Sequence, residues 1–180
     1  MQIRKRYLVL LTVVFFMSSF FQTTKNDAEE YAVKAAFIYN FTKFVEWDKT
    51  ETSPTFVIGV IGESPIYKPL MELAATKTIN SKKIEVLKCT AANPSNCRCQ
   101  ILFVPEATKS KEFQDFISEL STSKNILIIS ESKGFLNNGS AINFLVSENH
   151  IKFEINMGCL SKYNLKASSQ LLKLASNIQY

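Results

Sequence analysis

The spacing of apolar and polar positions divides the chain into helical and extended segments. From Ala28 to Val45, the apolar residues Val33, Phe37, Ile38, Phe41, Phe44 and Val45 fall on one arc at about 100° per residue, with Thr42, Lys43 and Glu46 opposite. This predicts an amphipathic helix. Asp27 is placed to cap it, and Asp27, Glu29 and Glu30 suit the positive end of its dipole. Lys34 interrupts the arc, and its stem is expected to lie over the core with the amine in water. Phe37, Phe41 and Phe44 are expected to cover one face of a sheet. Tyr39 and Trp47 lie off the main arc, as the anchors of a partner-binding face would.

Beyond a break at Thr52-Ser53-Pro54, Thr55–Ile61 (TFVIGVI) reads as a strand, Ile66–Ala75 as a helix with Leu70, Leu73 and Ala74 inward, and Lys83–Leu87 as a second strand. Gln100–Val104 (QILFV) and Asn125–Ile129 (NILII) are uninterrupted apolar runs, the pattern of strands covered on both faces. Between them, Lys111–Leu120 repeats the helical spacing through Phe113, Phe116, Ile117 and Leu120. Asn137-Asn138-Gly139 signals a tight turn. Ala141–Val146 and His150–Ile155 predict an antiparallel hairpin across Ser147-Glu148-Asn149. A last helix is expected over Leu165–Ile178, striped by Leu171, Leu172, Ala175 and Ile178. This order predicts an α/β fold: a three-layer sandwich whose largely parallel sheet ends in a C-terminal antiparallel hairpin, with helices on both faces.

The first residues change the picture of where the chain acts. Arg4, Lys5 and Arg6 precede an apolar run from Tyr7 to Phe16 that resumes at Phe20 and Phe21, the layout of a secretory signal. Ser18, Ser19, Gln22, Thr23 and Thr24 close the run short of the roughly 20 apolar residues of a spanning helix. Residues 1–24 are therefore expected to be a signal peptide cleaved between Gln22 and Ala28, an uncleaved anchor being the alternative. Residues 25–180 are expected to form a single exported domain. Of the 21 Lys and Arg, three leave with the signal and no acid does, so 18 face 16 Asp and Glu, a net charge of +2. No basic block remains to cover a nucleic-acid backbone, and no nucleic-acid partner is expected.

All four cysteines, Cys89, Cys97, Cys99 and Cys159, lie in the exported part, where disulfides persist. Cys97 and Cys99 would close a strained ring with each other, so one is expected to pair with Cys89 and the other with Cys159. The favoured scheme joins Cys89 to Cys97 and Cys99 to Cys159. Cys-x-Cys lacks the spacer of a zinc knuckle, and the sole histidine, His150, is far off, so no metal site is expected.

Catalytic constellations are scarce. There is no Gly-x-Ser-x-Gly elbow, and His150 reads as an exposed turn residue. Glu46, Asp48, Glu131 and Glu154 read as surface acids, since nothing in their spacing pairs them. Gly59-x-x-Gly62 follows a strand and precedes a helix without a full phosphate-loop motif. No enzyme activity and no cofactor are expected, which leaves two binding roles. Open α/β sheets take small ligands at the carboxyl ends of their strands, and Gly62, Glu63, Ser64 and Pro105 fall there.

Six blocks carry a family likeness: VKAAFIYNFTKFVEW, FVIGVIGESP, CQILFVP, NILIISESKGFLNNGSAINF, IKFEIN and LKASSQLLKLA. In order and spacing they resemble the YfiR-like family of bacterial periplasmic regulators, over about Ala28 to Ala175. The resemblance implies a periplasmic α/β sandwich that restrains an inner-membrane diguanylate cyclase or a sensor kinase through its periplasmic domain, and so governs cyclic di-GMP and biofilm. It further implies redox sensitivity. Cys99 matches a family cysteine, whereas Cys89, Cys97 and Cys159 have no counterpart in that pattern. The resemblance names no individual partner, and a homodimer is left open.

Overall fold

The computed structural model describes residues 27–47, 53–90, 97–120, 125–147 and 150–180. The expected signal segment, Asp48 and the tip of the expected hairpin lie outside them. The first helix, α1 (residues 27–44), leads directly into β1 (Val45–Glu46). Then come β2 (Thr55–Ile61), α2 (Tyr67–Thr76), β3 (Thr78–Ile79), β4 (Lys82–Cys89), β5 (Ile101–Val104), α3 (Ser110–Glu119) and β6 (Leu127–Ser130). The remainder is a 3-10 turn (Phe135–Asn138), β7 (Ile142–Ser147), β8 (His150–Asn156), α4 (Met157–Lys162), β9 (Lys166–Ala167), α5 (Ser169–Leu174) and β10 (Asn177–Gln179).

Eight strands form one sheet in the order β10-β8-β7-β6-β5-β2-β4-β3. The five inner strands from β4 to β7 are mutually parallel, and β7 and β8 form the expected antiparallel pair with Phe144 opposite Phe153. The fold is α/β with a mostly parallel sheet. Apolar runs explain the middle: every residue of β5 and β6, and all of β2 after Thr55, is buried. Strands that lose water on both faces need no polar alternation. From β2 the chain moves outward to β4, then returns past β2 to β5 on its other side. The direction of winding thus reverses between β2 and β5.

The aromatic helix lies where its arc predicts. Phe41 is buried with its ring 5.0 Å from Phe153 and 5.9 Å from Phe144, and Phe37 stands 5.9 Å and 6.1 Å from the same two rings. Burying one such ring stabilises the fold by roughly 2–3 kcal/mol. This contact clamps α1 over the hairpin.

The helix expected over Leu165–Ile178 is a strand, a short helix and a strand instead. Ser168 donates its amide to Phe44 O at 2.8 Å and its Oγ caps α5 by accepting from Leu171 N at 3.2 Å. Ser176 turns its amide to Phe153 O at 2.8 Å, which starts β10 alongside β8. Backbone partners at the ends of α1 and β8 thus override a helical stripe, of which Leu171 alone is fully buried. α4 has no counterpart in the sequence pattern. Asn156 caps it, with Oδ1 accepting from Cys159 N at 2.9 Å. The Asn137-Asn138-Gly139 turn is the end of the 3-10 segment, closed by Gly139 at φ 122°. A Cβ on Gly139 would also lie 3.1 Å from Ile117 Cδ1.

Candidate functional site

Three loops leave the carboxyl edge of the parallel strands beside the point where the winding reverses, the usual ligand position in open α/β sheets. After β2, Gly62 turns the chain at φ 63° and donates its amide to Cys89 O at 2.9 Å. Glu63 pairs with Lys88 on the surface, and Ser64 Oγ accepts from Ile66 N at 3.3 Å to start α2. After β5, Pro105 is buried and its carbonyl accepts from Thr108 N at 3.0 Å. Gly62, Glu63 and Ser64 share one loop and Pro105 begins the next, so all four expected ligand residues stand at this edge.

The third loop brings the group that dominates the edge. Glu131 follows β6, and its side chain is 3% exposed. One carboxylate oxygen accepts from Tyr31 Oη at 3.1 Å and from Glu106 N at 3.0 Å; the other accepts from Lys34 Nζ at 2.5 Å. Lys34 is 4% exposed and also meets Glu30 at 2.5 Å, with its amine 4.6 Å above the Tyr31 ring. Burial, followed by the negative charge of Glu131, pushes the Tyr31 hydroxyl well above the usual tyrosine range. The amine of Lys34 therefore does not reach water as expected: it is the centre of a buried ion cluster that pins the first turns of α1 across the sheet edge. Tyr31 Oη, the Glu106 amide and Lys34 Nζ all donate to Glu131, and Lys34 also meets Glu30, so the arrangement is suited to holding position.

On the other side of the same strand end, Ser130 Oγ donates to Asn143 Oδ1 at 2.6 Å, and Asn143 Nδ2 donates to Glu154 Oε1 at 3.2 Å. Successive residues of a strand face opposite ways, so Ser130 and Glu131 serve two separate polar groups. Glu46 lies in register with Lys166 on the β1–β9 pair, and His150 opens β8 on the surface. Glu46, Glu131 and Glu154 are thus held in three separate settings.

Cys89 and Cys97 form a disulfide, whereas Cys99 and Cys159 carry free thiols in place of the expected second bridge. The fold draws Cys99 to the bridge, with its sulfur 3.7 Å from that of Cys97, while Cys159 sits on α4. Burial pushes the Cys99 thiol up to about 12 and also raises that of Cys159, which Lys162 partly offsets. Tyr39 and Trp47 are both partly buried. Tyr39 Oη donates to Thr78 O at 3.3 Å, and Trp47 packs edge-on against Phe56 at 5.6 Å with its indole N–H buried without an acceptor.

Tyr31, Lys34, Ser130 and Asn143 were not singled out as site residues by their sequence context. The one available signal was a lysine on the apolar arc of α1. Its partner Glu131 lies 97 residues away and could not be inferred from spacing.

Among the described residues, no helix is long and apolar enough to cross a membrane. No curated protein matches the chain. Among solved structures, it is similar in fold to the ABC domain in complex with L-Trp from Streptococcus pneumonia, at 14% identity and a TM-score of 0.52. The match covers 72% of this chain and 57% of that one, so the chain spans just over half of that protein's length. The family DUF4154, described as YfiR/HmsC-like, matches residues 31–176, from the Tyr31 of the buried cluster to the Ser176 that starts β10. The chain belongs to the YfiR/HmsC-like family.

Proposed function

We propose that this protein is an exported regulatory binding protein, periplasmic after removal of residues 1–24, that restrains the extracytoplasmic domain of an inner-membrane signalling protein such as a diguanylate cyclase. The family match over residues 31–176 is the observation that carries this reading. The carboxyl-edge cluster supports it, because Lys34, Glu131 and Tyr31 are paired with one another in an arrangement that holds α1 on the sheet edge. Restraint by binding needs only a difference in affinity for two states of the partner. The proposed contact face is at the opposite end of α1 and just past β1, where Tyr39 and Trp47 are partly buried near Thr78 and Phe56. Deletion of the gene is expected to raise intracellular cyclic di-GMP, and capture from membranes to recover a signalling protein. Unchanged cyclic di-GMP together with an empty capture overturns the reading.

The reversal of winding between β2 and β5 favours a second reading, a small-ligand sensor at Gly62, Glu63, Ser64 and Pro105. The structural neighbour with bound L-Trp supplies a first probe. A true ligand at about 100 times its dissociation constant adds about 2.7 kcal/mol of stability, visible as a raised melting temperature. No shift with an amino-acid panel removes the second reading and leaves the first.

A further inference from the structure

Cys89 ends β4, and Cys97 and Cys99 lie on the approach to β5, on either side of the central strand β2. Their three sulfurs converge over Gly59. A Cβ on Gly59 would lie 2.7 Å from the sulfurs of Cys89 and Cys97 and 3.0 Å from that of Cys99, so the missing side chain is what makes room for them. Cys89 and Cys97 are bonded, and the free Cys99 sulfur touches that of Cys97 at 3.7 Å. A thiol packed against a disulfide is the starting arrangement for exchange. A bridge between Cys97 and Cys99 would be a strained ring across one residue, which leaves Cys89 as the common end.

We propose that Cys89 forms two alternative bridges, to Cys97 or to Cys99, that interconvert within this cluster. In the forward step Cys99 Sγ, as the thiolate, leaves its contact with Cys97 and attacks Cys89 Sγ from the side opposite the Cys89–Cys97 bond. The Cys89–Cys97 bond breaks, its electron pair leaves on Cys97 Sγ, and Cys97 takes up a proton in place of the one Cys99 released. The exchange consumes no oxidant and no reductant. Its consequence is mechanical: the tether moves two residues along the chain, about 6.6 Å of extended backbone. It then lies next to Gln100, which clasps Val57 of β2 through Gln100 N to Val57 O at 3.0 Å and Val57 N to Gln100 Oε1 at 2.7 Å. With the Cys99 thiol held at about 12 by burial, thiolate is scarce near neutrality and the rate should rise about tenfold per pH unit.

The test uses the purified protein and its Cys97→Ser and Cys99→Ser variants in a glutathione redox buffer at about pH 8.5, trapped with N-ethylmaleimide and mapped by non-reducing peptide mass spectrometry. Cys99→Ser is expected to show only Cys89–Cys97, and Cys97→Ser to close Cys89–Cys99. Wild-type protein that starts as Cys89–Cys97 and is kept without oxidant should gain Cys89–Cys99, faster at higher pH. The proposal is overturned if Cys97→Ser keeps Cys89 and Cys99 alkylated where Cys99→Ser closes its bridge. Should Cys97→Ser fail to fold, the wild-type arm decides: Cys89–Cys97 as the sole bridge after days at about pH 9.5 overturns the proposal equally.

Discussion

Replacing Glu131 by Gln keeps the shape of the side chain and removes its charge, which isolates what the buried cluster contributes. The carboxylate takes three donors, Tyr31 Oη, the Glu106 amide and Lys34 Nζ, on two oxygens. Glutamine offers one acceptor oxygen and turns an N–H₂ toward the remaining donors. An unsatisfied buried donor costs about 1–3 kcal/mol, and breaking a buried ion pair costs about 3–5 kcal/mol. Glu30 still holds Lys34 and is 31% exposed, so water can share in the repair. We expect a net loss of about 2–4 kcal/mol. With a urea slope of about 2 kcal/mol/M, the midpoint should fall by roughly 1–2 M at unchanged slope. Lys34→Met leaves Glu131 with only the Tyr31 and Glu106 donors and should cost about 3 kcal/mol. The double variant should be less destabilised than the sum of the singles by at least about 1 kcal/mol, since both remove the same contact. Midpoint shifts under about 0.3 M for both singles, or strict additivity, would refute the idea that this cluster holds α1 in place.

Phe41→Ala empties the space between Phe144 and Phe153 and should cost about 3–5 kcal/mol in the same urea assay, against about 1 kcal/mol or less for the exposed Val33→Ala. Gly59→Ala puts a methyl group 2.7 Å from the bridged sulfurs; we expect a loss of about 1–3 kcal/mol and a lower yield of Cys89–Cys97 on non-reducing mapping. Reducing that bridge, which closes a loop of sequence separation 8, should lower stability by about 2–3 kcal/mol, read as a drop in melting temperature with dithiothreitol. Burial raises the Tyr163 hydroxyl to about 12 and lifts that of Tyr31 as well, so the folded state keeps these protons longer than the unfolded chain does. Their contribution is complete below about pH 10 and is lost as pH climbs through the raised values, so urea midpoints should decline above about pH 10. Phenolate absorbance at 295 nm should show both residues ionising late.

The sheet was legible because its central strands are written without interruption: TFVIGVI, ILFV and LIIS are short, rich in β-branched residues and almost wholly buried, which favours strands over a buried helix. The hairpin was legible from two runs with a polar turn between. The C-terminal segment was not, because Leu171, Leu172, Ala175 and Ile178 satisfy helical spacing while the backbone of Ser168 and Ser176 finds better partners in Phe44 and Phe153. Such hydrogen bonds leave no trace in side-chain pattern. Lys34 stands out in the sequence as an anomaly, but a snorkelling lysine and a buried one look alike until the opposing acid, Glu131, is known. Among the cysteines, the pair with the shortest allowed loop was found, but the free state of Cys99 and Cys159 depends on where α4 sits, and α4 had no sequence signature. Gly62, Glu63, Ser64 and Pro105 follow the ends of β2 and β5, a position that strand identity alone makes readable.

The packing of α1 bears on how the molecule is made. Its ring contacts wait for Phe144 and Phe153, its ion pair for Glu131, and the strand that extends it for Ala167. A polypeptide emerging from its amino end must therefore carry Phe37 and Phe41 unsheltered until nearly all of it has been delivered, and so large a separation between partners slows the final assembly. With this wiring the first segment made is among the last to be seated.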